Sequence, residues 1–560
     1  MKAARSNLKK SILGIALTLC VVASVANTKT VASIAALQSA INSASAADTV
    51  VLANGTYLNN TLTISTSRIC VQAATPGGVY LNGTNAITIT ADSVTFSGFR
   101  FTSGTITGNV IAVKGNYNTL TQLNFNGYSA AHMIVLSGRD NLVSYSNFQN
   151  KLALNPVTQG GTGDMVQIIP NDTVAGYNTI RYCSFQHMPG MGGDYGNECI
   201  RIGDGKYATF VSRTVVEYCF FEDTGNGDSE AISVKSRENC LRHNTMLNNP
   251  DAMFSFRNGD NNVAYGNFFI RSGGIRCKQA NNIYCYNNYF QASGTAKSSS
   301  PPVYFEYYGT GYGSNFNCIH NTFYKCAAAV IDTALTACTW ANNIFYSDSA
   351  TIFSGTTSGQ TFAGNMYQGT PGLSITFGMN DLDPLLTLNA AGYYGLSATS
   401  QAIGASSADY PAVISLTGLN NDPDILLDIA GKSRPSSATL KDVGCEQYAG
   451  TSGSIHPLAL SEVGPSYLDS TNTVVSLATS DAGKAIVYPN PGKGEFYIQS
   501  TSPISKIEVI NMWGEKCYTA PANPQTTLNA INLSALTTGV YFVRIIDGQG
   551  TVADKEIIIK

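Results

Sequence analysis

The 560-residue chain is long enough for several hydrophobic cores or for one long repetitive core. Only 12% of its residues are charged, 10% are aromatic and 53 are glycines, a composition that disfavours a helical protein and favours an all-β one. The formal net charge of −3 argues against general nucleic-acid binding, although it leaves room for a local basic cleft.

Residues 1–26 have the pattern of a secretory signal peptide. They combine a positively charged start, an apolar run over residues 12–25 and small residues at the expected cleavage position. A transmembrane anchor is the alternative, but the apolar run is short for a membrane span. Removal of this segment would shift the net charge from −3 to −7, because it carries four Lys and Arg residues and no acid. We therefore expect an exported protein without a membrane span.

Similar phrases recur through the middle of the chain, such as NTIRYCSFQH, NNVAYGNFFI and NNIYCYNNYF. Each phrase has alternating apolar residues, then Asn or Ser, then an aromatic residue. The repeat is about 22 residues long with insertions of about a dozen, which is typical of a solenoid. The positions taken as equivalent are Phe148, Phe185, Phe220, Met246, Phe268, Tyr289, Phe323 and Phe345.

The repeats lack a leucine framework, and their β-branched and aromatic strands with Asn and Gly at the corners indicate a parallel β-helix. Asn side chains stacked in successive coils can satisfy one another and the corner backbone. We predict a right-handed parallel β-helix (solenoid) over residues 27–450. A short amphipathic helix near its start would cap the open end, because an unpaired strand edge invites aggregation.

Residues 451–484 are rich in small and polar residues and predict a linker. Residues 485–560 then have the pattern of a small β-sandwich. The phrases YPNPGKGEFYI, IEVINMWG and LTTGVYFVRI closely resemble the C-terminal sorting domain of the type IX secretion system. The resemblance implies that the type IX machinery exports the protein across the outer membrane, to the cell surface or beyond. A generic carbohydrate-binding sandwich is the alternative.

Strand alternation indicates which side chains of the solenoid point away from its core. In ECIRIG, EAISVKS, AMFSFRNG, GGIRCKQ and PVYFEYY, the apolar residues point inward and the residues between them point outward. Five consecutive coils would thus present one cationic stripe, which suits an extended polyanion; neutralisation by nearby carboxylates is the alternative. The stripe residues are Arg201, Lys235, Arg257, Arg276 and Glu306, with Ser233 and Tyr304 on the same face.

Oxygen-bearing side chains enter two of these strands. Asn197 and Glu198 precede one strand, and Asp228 and Glu230 stand at the start of the next. Together they could hold a hard cation such as calcium. The alternative is that they only pair with arginines of the stripe.

The segment 197–307 resembles polysaccharide lyase family 6, which includes the alginate lyases and chondroitinase B. The matching pieces are NECIRIG, DSEAISVKSRENCLRHNTMLNN, FRNGDNNVAYGNFF and GGIRCKQANNIYCYNNYF. The resemblance implies Lys235 as the general base and Arg257 as the acid. It also implies Asn197, Asp228 and Glu230 as calcium ligands, although Asp228 stands where family members often have Glu.

The resemblance therefore implies a secreted lyase that cleaves a uronate polymer by calcium-assisted β-elimination. We assign substrate binding to Arg201, Ser233, Arg276, Tyr304 and Glu306. Alginate is favoured as the substrate, and chondroitin or dermatan sulfate is the alternative within the family. A hydrolase of the pectin-degrading type would need paired Asp residues on this face. A non-catalytic polysaccharide-binding protein would retain the stripe but tolerate the loss of Lys235.

Overall fold

A computed structural model gives the structure of the protein, which divides into two units, residues 1–469 and 470–560. Residues 1–25 of the predicted signal peptide and the site residue Asp228 lie outside the described residues. The described residues are 26–152, 163–188, 197–224, 229–293, 301–306, 313–331, 336–450, 453–468, 485–490, 492–500, 504–511, 516–522, 526–537, 539–547 and 552–559.

The first unit is a parallel β-helix, as predicted. Fourteen strands stack in register into one long parallel sheet. Its strands are Thr28–Val31, Thr49–Leu52, Cys70–Ala73, Thr95–Ser97, Thr119–Thr121, Leu142–Ser144, Thr179–Arg181, Val215–Glu217, Cys240–Arg242, Asn262–Tyr265, Ile283–Tyr286, Phe316–Ile319, Cys338–Ala341 and Gln360–Ala363.

Two further parallel sheets close the coils, and the long strands Phe99–Val113 and Asn124–Leu136 run through both of them. We call one of them the site sheet; its other strands are Thr61–Ile64, Ala86–Ile89, Val166–Ile168, Ile200–Gly203, Glu230–Lys235, Met253–Arg257, Ile275–Lys278, Val303–Glu306, Ala329–Ile331 and Phe353–Gly355. The remaining sheet contains Gly55–Leu58, Val79–Asn82, Asn147–Gln149, Ser184–Gln186, Phe220–Glu222, Thr245–Leu247, Phe268–Ile270, Tyr289–Gln291, Thr322–Tyr324, Ile344–Thr351, Asn365–Thr370 and Met379–Asp381.

Stacked aromatic rings fill part of the core between the sheets. Rings in neighbouring coils lie about one strand spacing apart, for example 4.9 Å between the centroids of Phe148 and Phe185. The predicted repeat positions were wrong by one residue at three coils. The equivalent residues there are Phe221, Phe269 and Phe290, not Phe220, Phe268 and Tyr289. In each case two aromatic residues are adjacent in sequence, and the second one continues the stack.

A ladder of buried asparagines runs along one corner, as expected from the sequence. Each side-chain amide donates to the side-chain oxygen of the next coil at 2.9 or 3.0 Å. The same oxygens also accept from backbone N–H groups, so the ladder satisfies corner donors that the strands leave unpaired. Its members are Asn244, Asn267, Asn288, Asn321, Asn343 and Asn365.

The predicted capping helix is Ile34–Ser43. Ser33 caps its N-terminus, where the hydroxyl accepts a hydrogen bond from the Ala36 N–H at 3.2 Å. Leu37 and Ile41 are buried in the solenoid core, so the helix covers the first coil. Within the described residues, no helix is long and apolar enough to cross a membrane.

The parallel coils end at Asp381, and the chain then packs along the outside of the solenoid. This part contains an antiparallel pair, Leu386–Leu388 with Tyr394–Leu396. Residues 453–468 differ from the predicted linker because they hydrogen-bond to the coils: the Gly464 N–H donates to the Tyr182 carbonyl at 2.8 Å. Short 3-10 turns occur at Gly205–Tyr207, Ala438–Leu440, Leu460–Glu462 and Ser466–Leu468.

The second unit consists of two small antiparallel sheets around a core of its own, as expected for a β-sandwich. Phe496, Ile507 and Val543 are among its buried residues. One sheet contains Ile486–Tyr488, Glu495–Gln499 and Leu528–Asn532, and the other contains Ile504–Asn511, Lys516–Pro521, Gly539–Asp547 and Val552–Ile559.

Candidate active site

The predicted stripe lies on the site sheet, but the register divides it into two rows. The first row, the inner row, contains Arg201, Ser233, Ser255, Arg276 and Tyr304. The second row, the outer row, lies two residues further along each strand. It contains Gly203, Lys235, Arg257, Lys278 and Glu306. The prediction of one stripe was therefore wrong, because Arg201 and Arg276 are not in line with Lys235, Arg257 and Glu306.

Lys235 and Arg257 are neighbours in the outer row. Val234 pairs with Phe256, so the next residues of these two strands lie side by side, about 4.8 Å apart at the backbone. The Lys235 side chain is 12% exposed and that of Arg257 is 22% exposed. On the other side of Lys235 the row has Gly203, which carries no side chain. A Cβ atom on Gly203 would lie 3.0 Å from the Lys235 carbonyl oxygen and 3.3 Å from Tyr207 Cβ, so the backbone is closely packed there and Lys235 reaches solvent only through its partly exposed side chain.

The cations of the inner row are buried beside carboxylates. The Arg276 guanidinium contacts the Glu230 carboxylate through Nη2 and lies 3.2 Å from Glu306 Oε2 through Nη1. Glu230 Oε1 also lies 3.6 Å from Arg257 Nη1, and its second oxygen accepts from the Ser233 hydroxyl. Glu306 further pairs with Lys278 at 2.7 Å. In this part of the predicted stripe, nearby carboxylates therefore neutralise the cations, as the alternative interpretation of the sequence expected.

A third row, the acid row, precedes both of the others. It contains Asp164, Glu198 and Glu230. Each acid comes two residues before an apolar residue of the site sheet, and these apolar residues pair with one another: Val166 with Ile200, and Ile200 with Ile232. Asp164 Oδ2 lies 2.6 Å from Arg201 Nε and 3.4 Å from His132 Nδ1. Glu198 Oε1 lies 3.4 Å from Lys235 Nζ.

Sequence reasoning missed Asp164, His132 and Lys151. Asp164 carried a usable signal, because GDMVQII repeats the acid-x-apolar pattern of NECIRIG and SEAISVK. Lys151 carried none: it lies in a different coil from Asn197, yet its ammonium donates to Asn197 Oδ1 at 3.0 Å.

Burial perturbs the titration of this cluster. Burial, followed by the charge of Asp164, raises the pKa of Glu198 to about 7. Burial also raises the pKa of Asp164, while the hydrogen bond with Glu198 opposes that shift. Burial lowers the pKa of His132 to about 4, aided by the positive charge of Arg201, and it lowers that of Lys151 to about 8. At neutral pH the imidazole of His132 is therefore neutral and Lys151 is mostly an ammonium.

The two described residues of the predicted calcium set do not fit a calcium site as they stand. Calcium binds through several oxygens at about 2.3–2.6 Å. Asn197 Oδ1 instead accepts from the Lys151 ammonium, and both Glu230 oxygens contact Arg276 or Ser233. Among the described residues, no group of three or more His, Cys, Asp and Glu side chains could hold a metal ion.

Two family models match the chain. The model for chondroitinase B matches residues 31–328, more than half of the chain and all of the site. The model for the secretion system C-terminal sorting domain matches residues 486–560. The sorting domain indicates export across the outer membrane. No curated protein matches the chain.

Solved structures with the same fold include three polysaccharide lyases. The PL6 family alginate lyase AlyGC has 21% sequence identity and a TM-score of 0.59, covering 69% of this chain and 59% of that chain. A mannuronic acid specific family 6 lyase from human gut microbiota has 19% identity and a TM-score of 0.54, covering 64% and 91%. A PL6 family polysaccharide lyase from Pseudopedobacter saltans has 20% identity and a TM-score of 0.51, covering 62% and 96%. This chain thus spans less than two thirds of the length of AlyGC.

Proposed function

This chain belongs to the chondroitinase B family, and we propose that it is an exported lyase that cleaves a uronate polysaccharide by β-elimination. The observation that carries the proposal is the pair Lys235 and Arg257 in the outer row. They are adjacent, partly exposed cations, and the cations of the inner row beside them are buried. A partly exposed lysine beside a partly exposed arginine suits a general base acting on an anionic chain.

The chemistry requires removal of the proton at C-5 of a uronate residue, next to its carboxylate. We assign this step to the Lys235 amine, which accepts the proton while the bond from C-4 to the leaving oxygen breaks. Arg257, which stays protonated, stabilises the charge on the leaving oxygen or on the carboxylate, and water can complete the protonation. Positive charge beside the substrate carboxylate would neutralise the negative charge that builds up there. The sequence predicts calcium for that place, but Asn197 and Glu230 do not fit a calcium site.

The carboxylates of the site hold the cations in place. Glu230 fixes Arg276 and contacts Arg257, while Glu198 lies beside Lys235. Because Glu198 has a raised pKa, its protonated form leaves the Lys235 amine without a full negative neighbour.

We propose alginate as the substrate. Lys235 and Arg257 provide adjacent, partly exposed cations on a long parallel sheet, which suits a linear chain that carries one carboxylate per sugar. Of the solved lyases named above, one is described as an alginate lyase and one as mannuronic acid specific, which favours the same choice. Dermatan or chondroitin sulfate is the second candidate, because the family is named for chondroitinase B.

The test is the ultraviolet absorbance of the unsaturated uronate product. The protein is mixed with alginate, dermatan sulfate or polygalacturonate, and the initial rate is compared with that of Lys235→Ala. We expect activity on alginate that falls by about 10²- to 10⁴-fold in the variant, because a general base contributes about that much. Lys206→Ala is the matched control, since Lys206 is an exposed lysine paired with Asp204 outside the cluster.

Two results would contradict the proposal. Absence of product from every uronate polymer, with binding to alginate retained, would favour a non-catalytic binding protein. An unchanged rate in Lys235→Ala would refute the assignment of the base while leaving the fold intact.

A further inference from the structure

We propose that the Lys151 ammonium occupies the place of a metal cation at Asn197, so that this chain needs no divalent metal. The inference rests on the proposed lyase function for its activity readout, but its direct test is metal binding. Lys151 acts through Asn197 and the surrounding charges, and it is therefore a positioning residue.

The contact between Lys151 and Asn197 is buried and closely packed. Lys151 is 3% exposed and Asn197 is 2% exposed. A Cβ atom on Gly163 would lie 2.5 Å from Lys151 Nζ and 3.2 Å from Asn197 Oδ1. The glycine therefore leaves the room that the ammonium occupies, and the three residues form a fitted arrangement rather than a chance surface contact.

This arrangement opposes a calcium ion at the same oxygen. A calcium ion bound to Asn197 Oδ1 would lie close to the ammonium, which is already 3.0 Å from that oxygen. Like charges at that separation repel strongly in a buried site. Among the described residues, no group accepts a hydrogen bond from the buried Asn197 amide nitrogen, so its contacts there run through the side-chain oxygen.

The charge balance of the cluster does not require a metal ion. Among the described residues, the cluster contains six cationic side chains and four carboxylates. Each cation contacts a carboxylate or Asn197, and the cluster has an excess of two positive charges. The protein can therefore supply the positive charge that a substrate carboxylate needs. The members are Lys151, Arg201, Lys235, Arg257, Arg276 and Lys278 with Asp164, Glu198, Glu230 and Glu306.

The experiment combines calcium titration calorimetry with chelator-dependent lyase rates on the full chain. The wild type, Lys151→Ala, the charge-conserving Lys151→Arg and the control Lys441→Met are compared. Lys441 is another buried lysine, 2% exposed, whose ammonium contacts the Asp424 carbonyl outside the site. Circular dichroism and the melting temperature verify that each variant folds.

We expect no calcium binding to the wild type and a rate that EDTA changes by less than about twofold. Lys151→Ala should bind calcium and lose activity by about tenfold or more in EDTA, with recovery on addition of calcium. Lys151→Arg and Lys441→Met should stay insensitive to EDTA. A merely structural role of Lys151 would not be rescued by calcium.

Calcium binding by the wild type, or a wild-type rate that EDTA abolishes and calcium restores, would overturn the inference. A folded Lys151→Ala that neither binds calcium nor recovers with it would also overturn it. If Lys151→Ala does not fold, insensitivity of Lys151→Arg and the wild type to EDTA still supports the inference, and sensitivity of both refutes it. If no uronate is cleaved, the proposed function fails, and the calorimetry alone decides about Lys151.

Discussion

The asparagine ladder predicts a specific weak point, and Asn288→Ala tests it. Asn288 is fully buried, and its side-chain oxygen accepts from both the backbone N–H and the amide of Asn267, at 3.0 and 2.9 Å. Its own amide donates to the Ala264 carbonyl and to Asn321 Oδ1, at 3.0 Å each. Removing this side chain breaks the ladder between two coils.

The magnitude follows from the donors that lose their acceptor. In Asn288→Ala, the backbone N–H of Asn267 and one N–H of its amide have no acceptor left, whereas Asn321 Oδ1 still accepts from the Asn288 backbone. A buried donor without a partner costs about 1–3 kcal/mol, so the variant should lose about 2–6 kcal/mol of unfolding free energy. Asn126→Ala is the control; its side chain is partly exposed and accepts from Asn150, so the loss should stay within about 0.5 kcal/mol.

The assay is thermal unfolding combined with hydrogen exchange. We expect a lower melting temperature in Asn288→Ala and faster exchange of amides in the coils on either side of the break, because neighbouring coils support each other in a solenoid. Exchange that rises uniformly along the chain would show that the ladder is not a local support. Equal melting temperatures for Asn288→Ala and Asn126→Ala would refute the assigned cost of the two orphaned donors.

Two further predictions concern pH and thiol reactivity. Burial, followed by the charge of Arg434, holds the pKa of His320 well below its usual value, so its stabilising contribution is present above about pH 6.5 and is lost on acidification. When the pH falls from 7 to 5, the unfolding free energy of His320→Gln should therefore decrease by about 2 kcal/mol less than that of the wild type. An equal decrease in both proteins would contradict this role of His320. Native protein should expose at most Cys70 and Cys517 to rapid labelling by a thiol reagent, whereas denatured protein should show all twelve described cysteines, because the others are buried thiols. Rapid labelling of further thiols in the native state would contradict the buried core.

The repeat pattern predicted the solenoid, the asparagine ladder and the capping helix, because each depends on a local pattern that recurs in every coil. It misassigned Phe220, Phe268 and Tyr289, where two adjacent aromatic residues both fit the alternation. Which of the two points inward depends on stacking with the neighbouring coil. Such a choice is made by pairing between strands that are far apart in sequence, so one sequence does not reveal it.

The site shows the same limit. Lys235 and Arg257 were identified because a local motif surrounds each of them, and the structure brings them side by side. The sequence analysis placed residues of the inner and outer rows in one stripe. It did so because the number of residues between the strand start and the outward-facing side chains differs between coils, and only the register shows which side chains align. Lys151 was missed because its relation to Asn197 exists only after two coils have stacked.

The three rows explain how one sheet tolerates so many charges. Like charges stacked about 4.8 Å apart would repel if each row stood alone. Here the acid row lies across from the cations, so Glu230 lies between Arg257 and Arg276, and Asp164 pairs with Arg201. Replacing one buried carboxylate would leave its partners uncompensated, which costs more than the pair contributes. The acid row therefore compensates the cations beside it, and a variant of Glu230 should disturb Arg257 and Arg276, which its carboxylate contacts.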